Sequence, residues 1–296
     1  MGHGLKHRLE YGVVWFLVGV FRLLPYRGAL AIGWGIAWLG HNVVRYRRKV
    51  AYTRIRQVFP DLLPSKVRSI AWLSWRNLVF NVIDTLRVSK MDADWLRRHV
   101  VNAEDVYRTF DAAGIPAKGL VAISMHAGCA EIAARMLQVS DARVFVISKM
   151  QKNLLVSRKL FEMRGATGIT FLPVSDGIYR QVLRRLRDGE TLAMLSDLRV
   201  EGGTCVNFLG HQANVAPGAA LFARRADVSL MIAVFSRVGW CKHRVDVKRI
   251  LHPDMSLSVD ADVQRMMQLA FDEFDQAIQA HPEQWFWHNK KWILGS

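Results

Sequence analysis

The sequence predicts an α/β fold, a mostly parallel mixed sheet flanked by helices, preceded by an N-terminal hydrophobic helical hairpin or anchor. From residue 119 onwards, short apolar runs alternate with helical patterns of about ten residues, which is typical of a parallel sheet. Two further apolar runs stand near the N-terminus. The 296-residue chain is 51% hydrophobic, which provides for a large core and excludes a disordered protein.

The N-terminal apolar runs cover residues 11–24 and 28–40, with Pro25 between them. As a helix the first run would extend about 21 Å, short of the roughly 30 Å hydrocarbon core of a bilayer. We therefore expect residues 1–45 to form a membrane-anchoring segment, as a hairpin in one leaflet or a single marginal anchor, and residues 46–296 to form the main domain. A buried helical hairpin in a soluble protein is the alternative.

The charge balance predicts anionic partners. The formal net charge is +16, and a cationic cluster follows the second apolar run. This cluster consists of Arg45, Arg47, Arg48, Lys49, Arg54 and Arg56. Ten tryptophans accompany these cations, and tryptophan favours the membrane interface. We expect an anionic membrane surface as partner, with the cluster against it, and no nucleic acid.

The remaining elements follow from apolar periodicity and from helix start and stop residues. Helices are predicted at 67–88, 129–137, 154–164, 176–187, 217–225 and 259–280. Strands are predicted at 120–125, 142–147, 169–172, 191–196, 228–235 and 243–247. Gly165 ends one helix, Asp176 is positioned to cap the next, and Pro217 occupies a first helical turn.

A candidate catalytic site follows the first predicted strand. Ligand sites in parallel sheets lie beyond the carboxyl ends of the strands, where His126 stands, and Gly128 permits a sharp turn into the next helix. Glu131 falls in the first turn of that helix and can reach back to the imidazole. One ring nitrogen held by a carboxylate leaves the other to take a proton from a hydroxyl. The spacing predicts His126 as a general base with Glu131 as its catalytic partner.

Two other chemistries are open at this position. Cys129 lies three residues from His126 at a helix start, where a thiol can have a lowered pKa, so a thiol hydrolase or thioesterase is conceivable. His126 and Glu131 lack a third ligand at usable spacing for a metal ion. We expect neither a metal nor a cofactor.

The block from His126 to Glu131 resembles the H-x-x-x-x-[DE] motif of glycerolipid-type acyltransferases. It is most similar to the lipid A late acyltransferase family, whose block reads close to H-x-G-N-W-E, with Cys129 and Ala130 in place of Asn and Trp. Further similar segments are Asn153, Arg164-Gly165, Asp197, Phe208-x-Gly210, Pro217-Gly218 and the closing Pro282–Trp292. The resemblance extends from about Trp15 to Trp292.

This resemblance implies transfer of a fatty acyl chain from a thioester to a hydroxyl of a lipid A precursor or related glycolipid. The donor would be acyl carrier protein or acyl-CoA. An aminolipid or a lysophospholipid is the alternative acceptor. Residues 46–296 would be the acyltransferase domain, on the cytoplasmic face of a bacterial inner membrane.

The resemblance also suggests Gly128, Asn153, Arg164 and Asp197 as substrate-binding residues, with Asp197 on the same sheet edge as His126 and able to pair with Arg164. Three arginines, Arg180, Arg184 and Arg187, share one face of a predicted helix. They form either a solvated face or a docking patch for an acidic carrier protein.

Overall fold

The computed structural model describes residues 5–115, 118–148, 153–165 and 167–295. Before the sheet begins, the chain is helical and contains α1 (Leu5–Leu23), α2 (Tyr26–Trp38), a π-helical segment (Leu39–Val43), α3 (Arg48–Val58), α4 (Pro64–Leu86), α5 (Ala93–His99) and α6 (Ala103–Ala112). The later helices are α7 (Ala130–Val139), α8 (Leu154–Gly165), α9 (Ile178–Arg187), α10 (Gly218–Ala226) and α11 (Val259–Ala280).

The strands form a six-stranded, mostly parallel sheet and a separate hairpin. The strands are β1 (Leu120–Ser124), β2 (Val144–Ser148), β3 (Thr170–Pro173), β4 (Thr191–Leu195), β5 (Arg199–Phe208), β6 (His211–Val215), β7 (Ser229–Gly239) and β8 (Lys242–Leu251). The large sheet has the order β3-β2-β4-β1-β7-β8, and only β8 runs antiparallel to its neighbour. The predicted fold class is confirmed, and each of the six predicted strands is part of this sheet.

Helices cover both faces of the sheet. On one face, α5, α6 and α7 share a core with the sheet residues Leu120 and Ala122. On the other face, α9, α10 and α11 pack against the intervening residues Val121 and Ile123, together with α3 and part of α4. All five residues of β1 are buried, so this strand is an apolar run rather than an alternating one.

The two N-terminal apolar runs form α1 and α2. The buried face of α2 includes Ala29 and Leu30, and Gly33 lets α2 approach α4 so closely that a β-carbon would lie 2.2 Å from Ile83. The opposite face is exposed, with Ile32 45% and Ile36 47% accessible. Among the helices that the structure describes, none combines the length and the hydropathy that a membrane span requires.

The cationic cluster divides into exposed and structural residues. The guanidinium of Arg54 is buried and donates to the carbonyls of Trp287, at 2.9 Å, and Asn289, at 2.6 Å. Arg47 donates to the carbonyls of His288 and Asn289 at 2.9 and 3.0 Å. The expectation that the whole cluster faces lipid is therefore wrong for Arg54, which holds the C-terminal segment against α3.

Candidate active site

His126 and Asp197 meet at the carboxyl edge of the sheet. Strands β1 and β4 are parallel neighbours with Ser124 paired to Leu195, and each of the two residues stands two positions beyond its strand end. His126 Nδ1 lies 2.6 Å from Asp197 Oδ1, and the backbone N–H of His126 donates to Oδ2 at 2.9 Å. An ionised carboxylate only accepts, so Nδ1 carries the proton and Nε2 is the basic nitrogen. The prediction that Asp197 lies on the same edge as His126 is confirmed.

The electrostatics of the pair favour an ionised carboxylate beside a readily protonated imidazole. Burial lowers the pKa of His126, but the charge of Asp197 and the hydrogen bond to it outweigh burial and raise the pKa above its ordinary value. Burial raises the pKa of Asp197, but the charge of His126 and three donated hydrogen bonds hold it below its ordinary value. The side chain of Asp197 is 1% exposed and that of His126 is 33% exposed, so the imidazole remains accessible.

Glu131 lies on the first turn of α7, as predicted, but it does not occupy Nδ1 of His126. Asp197 holds that nitrogen, so the expectation that Glu131 fixes the imidazole tautomer is wrong. Sequence proximity favoured Glu131, whereas the pairing of β1 with β4 brings in a carboxylate 71 residues away. Glu131 and His126 line the same cavity, and Glu131 Oε2 lies 3.6 Å from the sulfur of Cys129.

Gly128 is required by the backbone at the turn between His126 and α7. Its φ is +57°, in the left-handed region, and an added β-carbon would lie 2.6 Å from the carbonyl of Phe235 on β7. The carbonyl of Gly128 accepts a hydrogen bond of 2.6 Å from Asn81 Nδ2. The close approach to β7 gives Gly128 a packing role, while its predicted contact with substrate stays a prediction.

A buried polar network supports this turn from behind. Asn81 Oδ1 accepts from Arg237 at 3.1 Å, and Arg237 also pairs with Asp84, which is fully buried. Asp84 accepts a further hydrogen bond of 2.8 Å from the hydroxyl of Tyr26 on α2. The network links α2, α4 and β7 to the segment that carries His126, and sequence reasoning did not find it because its members are far apart in the chain.

The C-terminal segment completes the surroundings of the pair. The indole N–H of Trp285 donates to Asp197 Oδ2 at 2.8 Å, and the backbone N–H of Phe286 donates to the carbonyl of His126 at 3.1 Å. Trp285 is 3% exposed, and its own carbonyl accepts from Ser74 at 2.5 Å. The P-E-Q-W run is one of the segments that resemble the acyltransferase family, but neither the resemblance nor the apolar periodicity predicted that it lies beside His126.

A cavity of about 400 Å³ opens beside His126, between the sheet and α7. Its polar lining includes Ser124, His126, Glu131 and Ser148. The remaining lining is apolar and contains many small residues, among them Ala122, Ala130, Ala133, Ala134, Ala193 and Ala233. These alanines leave the space open, because larger side chains at the same positions would fill it. The result is an apolar recess with His126 and Glu131 among the residues of its polar end.

Cys129 does not have the environment of a reactive thiol. It is 3% exposed, and burial raises the pKa of the thiol well above its ordinary value, as do the negative charges of Glu131 and Asp84. A nucleophilic cysteine needs a thiolate and access to substrate. The geometry therefore disfavours a Cys129-dependent thioesterase.

Two predicted substrate-binding residues lie elsewhere. Asn153 caps α8 through hydrogen bonds from the backbone N–H groups of Leu155 and Val156, and it donates to the His7 carbonyl and to Glu10 on α1. Of the described residues, those lining the cavity do not include Asn153. Arg164 is part of α8, and its side chain lies outside the described part of the structure. Contact of either residue with substrate stays a prediction.

Comparison of the sequence with protein families matches residues 5–293 to the bacterial lipid A biosynthesis acyltransferases. Comparison with curated proteins finds no match. The family match covers nearly the whole chain, including the segment that carries His126, the strand end that carries Asp197 and the closing segment around Trp285. The chain therefore belongs to the bacterial lipid A biosynthesis acyltransferase family and is an acyltransferase.

Proposed function

We propose that this protein transfers a fatty acyl chain from an acyl carrier protein thioester to a hydroxyl of a lipid A precursor at the cytoplasmic face of the inner membrane. The observation that carries the proposal is the His126–Asp197 pair at the polar end of an apolar cavity. An apolar recess suits an alkyl chain, since burial of each methylene contributes about 0.8 kcal/mol. The pair supplies the base that an acceptor hydroxyl needs.

In the proposed reaction a single group, the imidazole of His126, first accepts a proton and then donates it. Nε2 of His126 takes the proton of the acceptor hydroxyl while the oxygen attacks the carbonyl carbon of the thioester. The tetrahedral intermediate collapses with cleavage of the carbon–sulfur bond, and the departing thiolate takes the proton from the imidazolium. Asp197 holds Nδ1–H and stabilises the imidazolium between these two transfers.

Glu131 is the second acidic residue of the proposed site. It lines the cavity with His126 but does not hold Nδ1, so its proposed role is to accept a hydrogen bond from a hydroxyl of the acceptor. Gly128 shapes the turn between the two residues. Arg164 and Asn153 remain candidates for contacts with the phosphorylated parts of the substrates.

The donor is proposed to be an acidic carrier protein rather than acyl-CoA. The exposed arginines Arg180, Arg184 and Arg187 on α9 supply a cationic surface, and α9 begins at the same edge of the sheet as the His126–Asp197 pair. The net charge of +16 and the exposed apolar residues of α1 and α2 suit an anionic membrane surface. The acceptor would then enter from the membrane and the donor from the cytoplasm.

The test is acyl transfer by purified protein in mixed micelles, with acyl carrier protein or acyl-CoA as donor. His126→Ala should lower kcat/KM by about 10² to 10⁴, because removal of a general base typically has an effect of this size. His211→Ala, which changes an exposed histidine on β6, is the control and should leave the rate unchanged. Cys129→Ser should also retain most activity. Near wild-type turnover by His126→Ala would contradict the proposed chemistry, and an acylated Cys129 would replace it with a thiol mechanism.

A further inference from the structure

The indole N–H of Trp285 is the third donor to the Asp197 carboxylate. Oδ1 accepts from Nδ1 of His126, whereas Oδ2 accepts both from the backbone N–H of His126 and from Trp285 at 2.8 Å. The carboxylate is almost completely buried, so protein groups rather than bulk water surround it. A hydrogen bond to an ionised group in such surroundings is stronger than one in water.

The position of the indole is fixed independently of Asp197. The ring packs against Phe208, Trp287 and Trp292, with ring centroids 5.7, 4.8 and 5.3 Å away. The backbone of Trp285 forms an antiparallel bridge with Ala127, adjacent to His126. The N–H group is therefore held in place before any substrate binds.

We propose that Trp285 is a positioning residue. Its indole N–H stabilises the negative charge of Asp197 and thereby weakens the attraction of that charge for the proton that His126 holds during acyl transfer. The proposal rests on the proposed role of His126 as the base. Asp197 would remain held by two hydrogen bonds from His126 if the indole N–H were removed, so its orientation would largely persist. Its charge would then act more fully on the imidazole.

The charged groups around His126 define what else could influence its titration. Asp197 lies beyond the end of β4, Glu131 lies on α7, and the Asp84–Arg237 pair lies behind the turn on α4 and β7. Apart from burial, Asp197 has the dominant effect on the pKa of His126. A change at Trp285 should therefore reach His126 through Asp197.

The test measures the titration of His126 directly by NMR of the full-length protein carrying ¹³C-labelled histidine, with His126→Gln used to assign the signal. In Trp285→Phe we expect the pKa of His126 to rise by about half a unit, which corresponds to roughly 0.7 kcal/mol. The acidic limb of the pH profile of kcat/KM should move to higher pH by the same amount, with KM nearly unchanged. Replacement of Trp285 by benzothienylalanine, which has sulfur in place of the indole N–H, should give the same shift without a change in ring shape.

Trp287→Phe is the matched control. Trp287 is a fully buried neighbour whose indole donates at 2.7 Å to the carbonyl of Pro282 rather than to Asp197. This variant should lose stability to a similar extent and leave the pKa of His126 unchanged. An unchanged or lowered pKa in the benzothienylalanine protein would overturn the charge-sharing role of Trp285. That result would leave the proposed role of His126 intact, because His126→Ala tests the latter separately.

Discussion

At the scale of single residues, the pairing of His126 with Asp197 depends on strand order. Both residues stand two positions beyond adjacent parallel strands, so the sheet brings together groups 71 residues apart. The sequence predicted that His126 follows a strand and that Asp197 ends another. It could not reveal that β1 lies beside β4, because local patterns carry no information on strand neighbours. Glu131 was closer in sequence and therefore received the role that Asp197 has.

Asp197→Asn should separate the charge of the carboxylate from its packing. Without that charge, burial alone acts on His126, and its pKa should fall from above its ordinary value to below it. Because the neutral imidazole is the base, the acidic limb of the kcat/KM profile should move to lower pH. The plateau should nevertheless fall by about 10² to 10⁴, since the imidazolium is less stabilised. A pH–rate profile measures both effects.

Asp176→Asn is the control for this experiment, because Asp176 is an exposed carboxylate before α9. It should retain the wild-type profile. An acidic limb in Asp197→Asn that coincides with that of the wild type would show that Asp197 does not govern the titration of the base.

At the scale of elements, α7 forms one wall of the cavity. Ala130, Ala133, Ala134 and Leu137 recur at helical spacing and line the cavity together. The helix starts at the edge that carries His126 and runs away from it, so Leu137 lies about 10 Å deeper than Ala130 at 1.5 Å per residue. Amphipathic periodicity predicted this helix, but it could not show that its small residues face empty space rather than a packed core.

Ala134→Leu should shorten the space available to the acyl chain. The added methyl groups would project into the cavity midway along α7, so the rate with long-chain donors should fall about tenfold more than the rate with short-chain donors, a difference of about 1.4 kcal/mol. Leu137→Ala should do the opposite and allow longer chains, although it should also destabilise the fold by about 2–5 kcal/mol. A series of thioesters of increasing chain length provides the measurement.

Met136→Leu is the control for helix α7, because Met136 is fully buried in the same helix and faces away from the cavity lining. It should preserve the order of chain-length preference. If Ala134→Leu and Met136→Leu show the same preference for thioester chain length as each other, the acyl chain binds outside this cavity.

Some elements were not predicted from the sequence because they are short or polar. Strand β5 is exposed or half-buried over its first seven residues and so lacks an apolar run, and α5 is only seven residues long. Strand β1 was predictable because its apolar run is buried on both faces, whereas β8 alternates exposed and buried residues at its start. The antiparallel direction of β8 follows from its connection to β7 rather than from an apolar pattern, because only Trp240 and Cys241 separate the two strands and a parallel crossover needs a dozen or more residues.

At the scale of the whole molecule, the N-terminal helices combine a packed face with an exposed apolar face. Tyr26 and Leu30 on α2 connect to the buried network and to α4, so deletion of the first 40 residues would remove part of the core as well as the exposed surface. On the exposed side, Phe16 is 70% accessible and Ile36 is 47% accessible. An exposed apolar surface of this kind marks an interaction site, and we expect it to contact the membrane.

Combined substitution of Phe16→Ser and Ile36→Ser should therefore weaken membrane binding while leaving the core intact. Loss of two apolar side chains, each contributing about 1.5–3 kcal/mol when fully buried, should reduce partitioning into anionic liposomes by at least tenfold. The difference should persist in high salt, because exposed charges are screened over about 8 Å at physiological ionic strength whereas apolar burial is not.

Val200→Ser with Met255→Ser, two exposed apolar residues remote in sequence from α1 and α2, is the control and should float like the wild type. Liposome flotation at low and high salt provides the measurement. Equal flotation of both double variants in high salt would show that the exposed face of α1 and α2 is not the anchor.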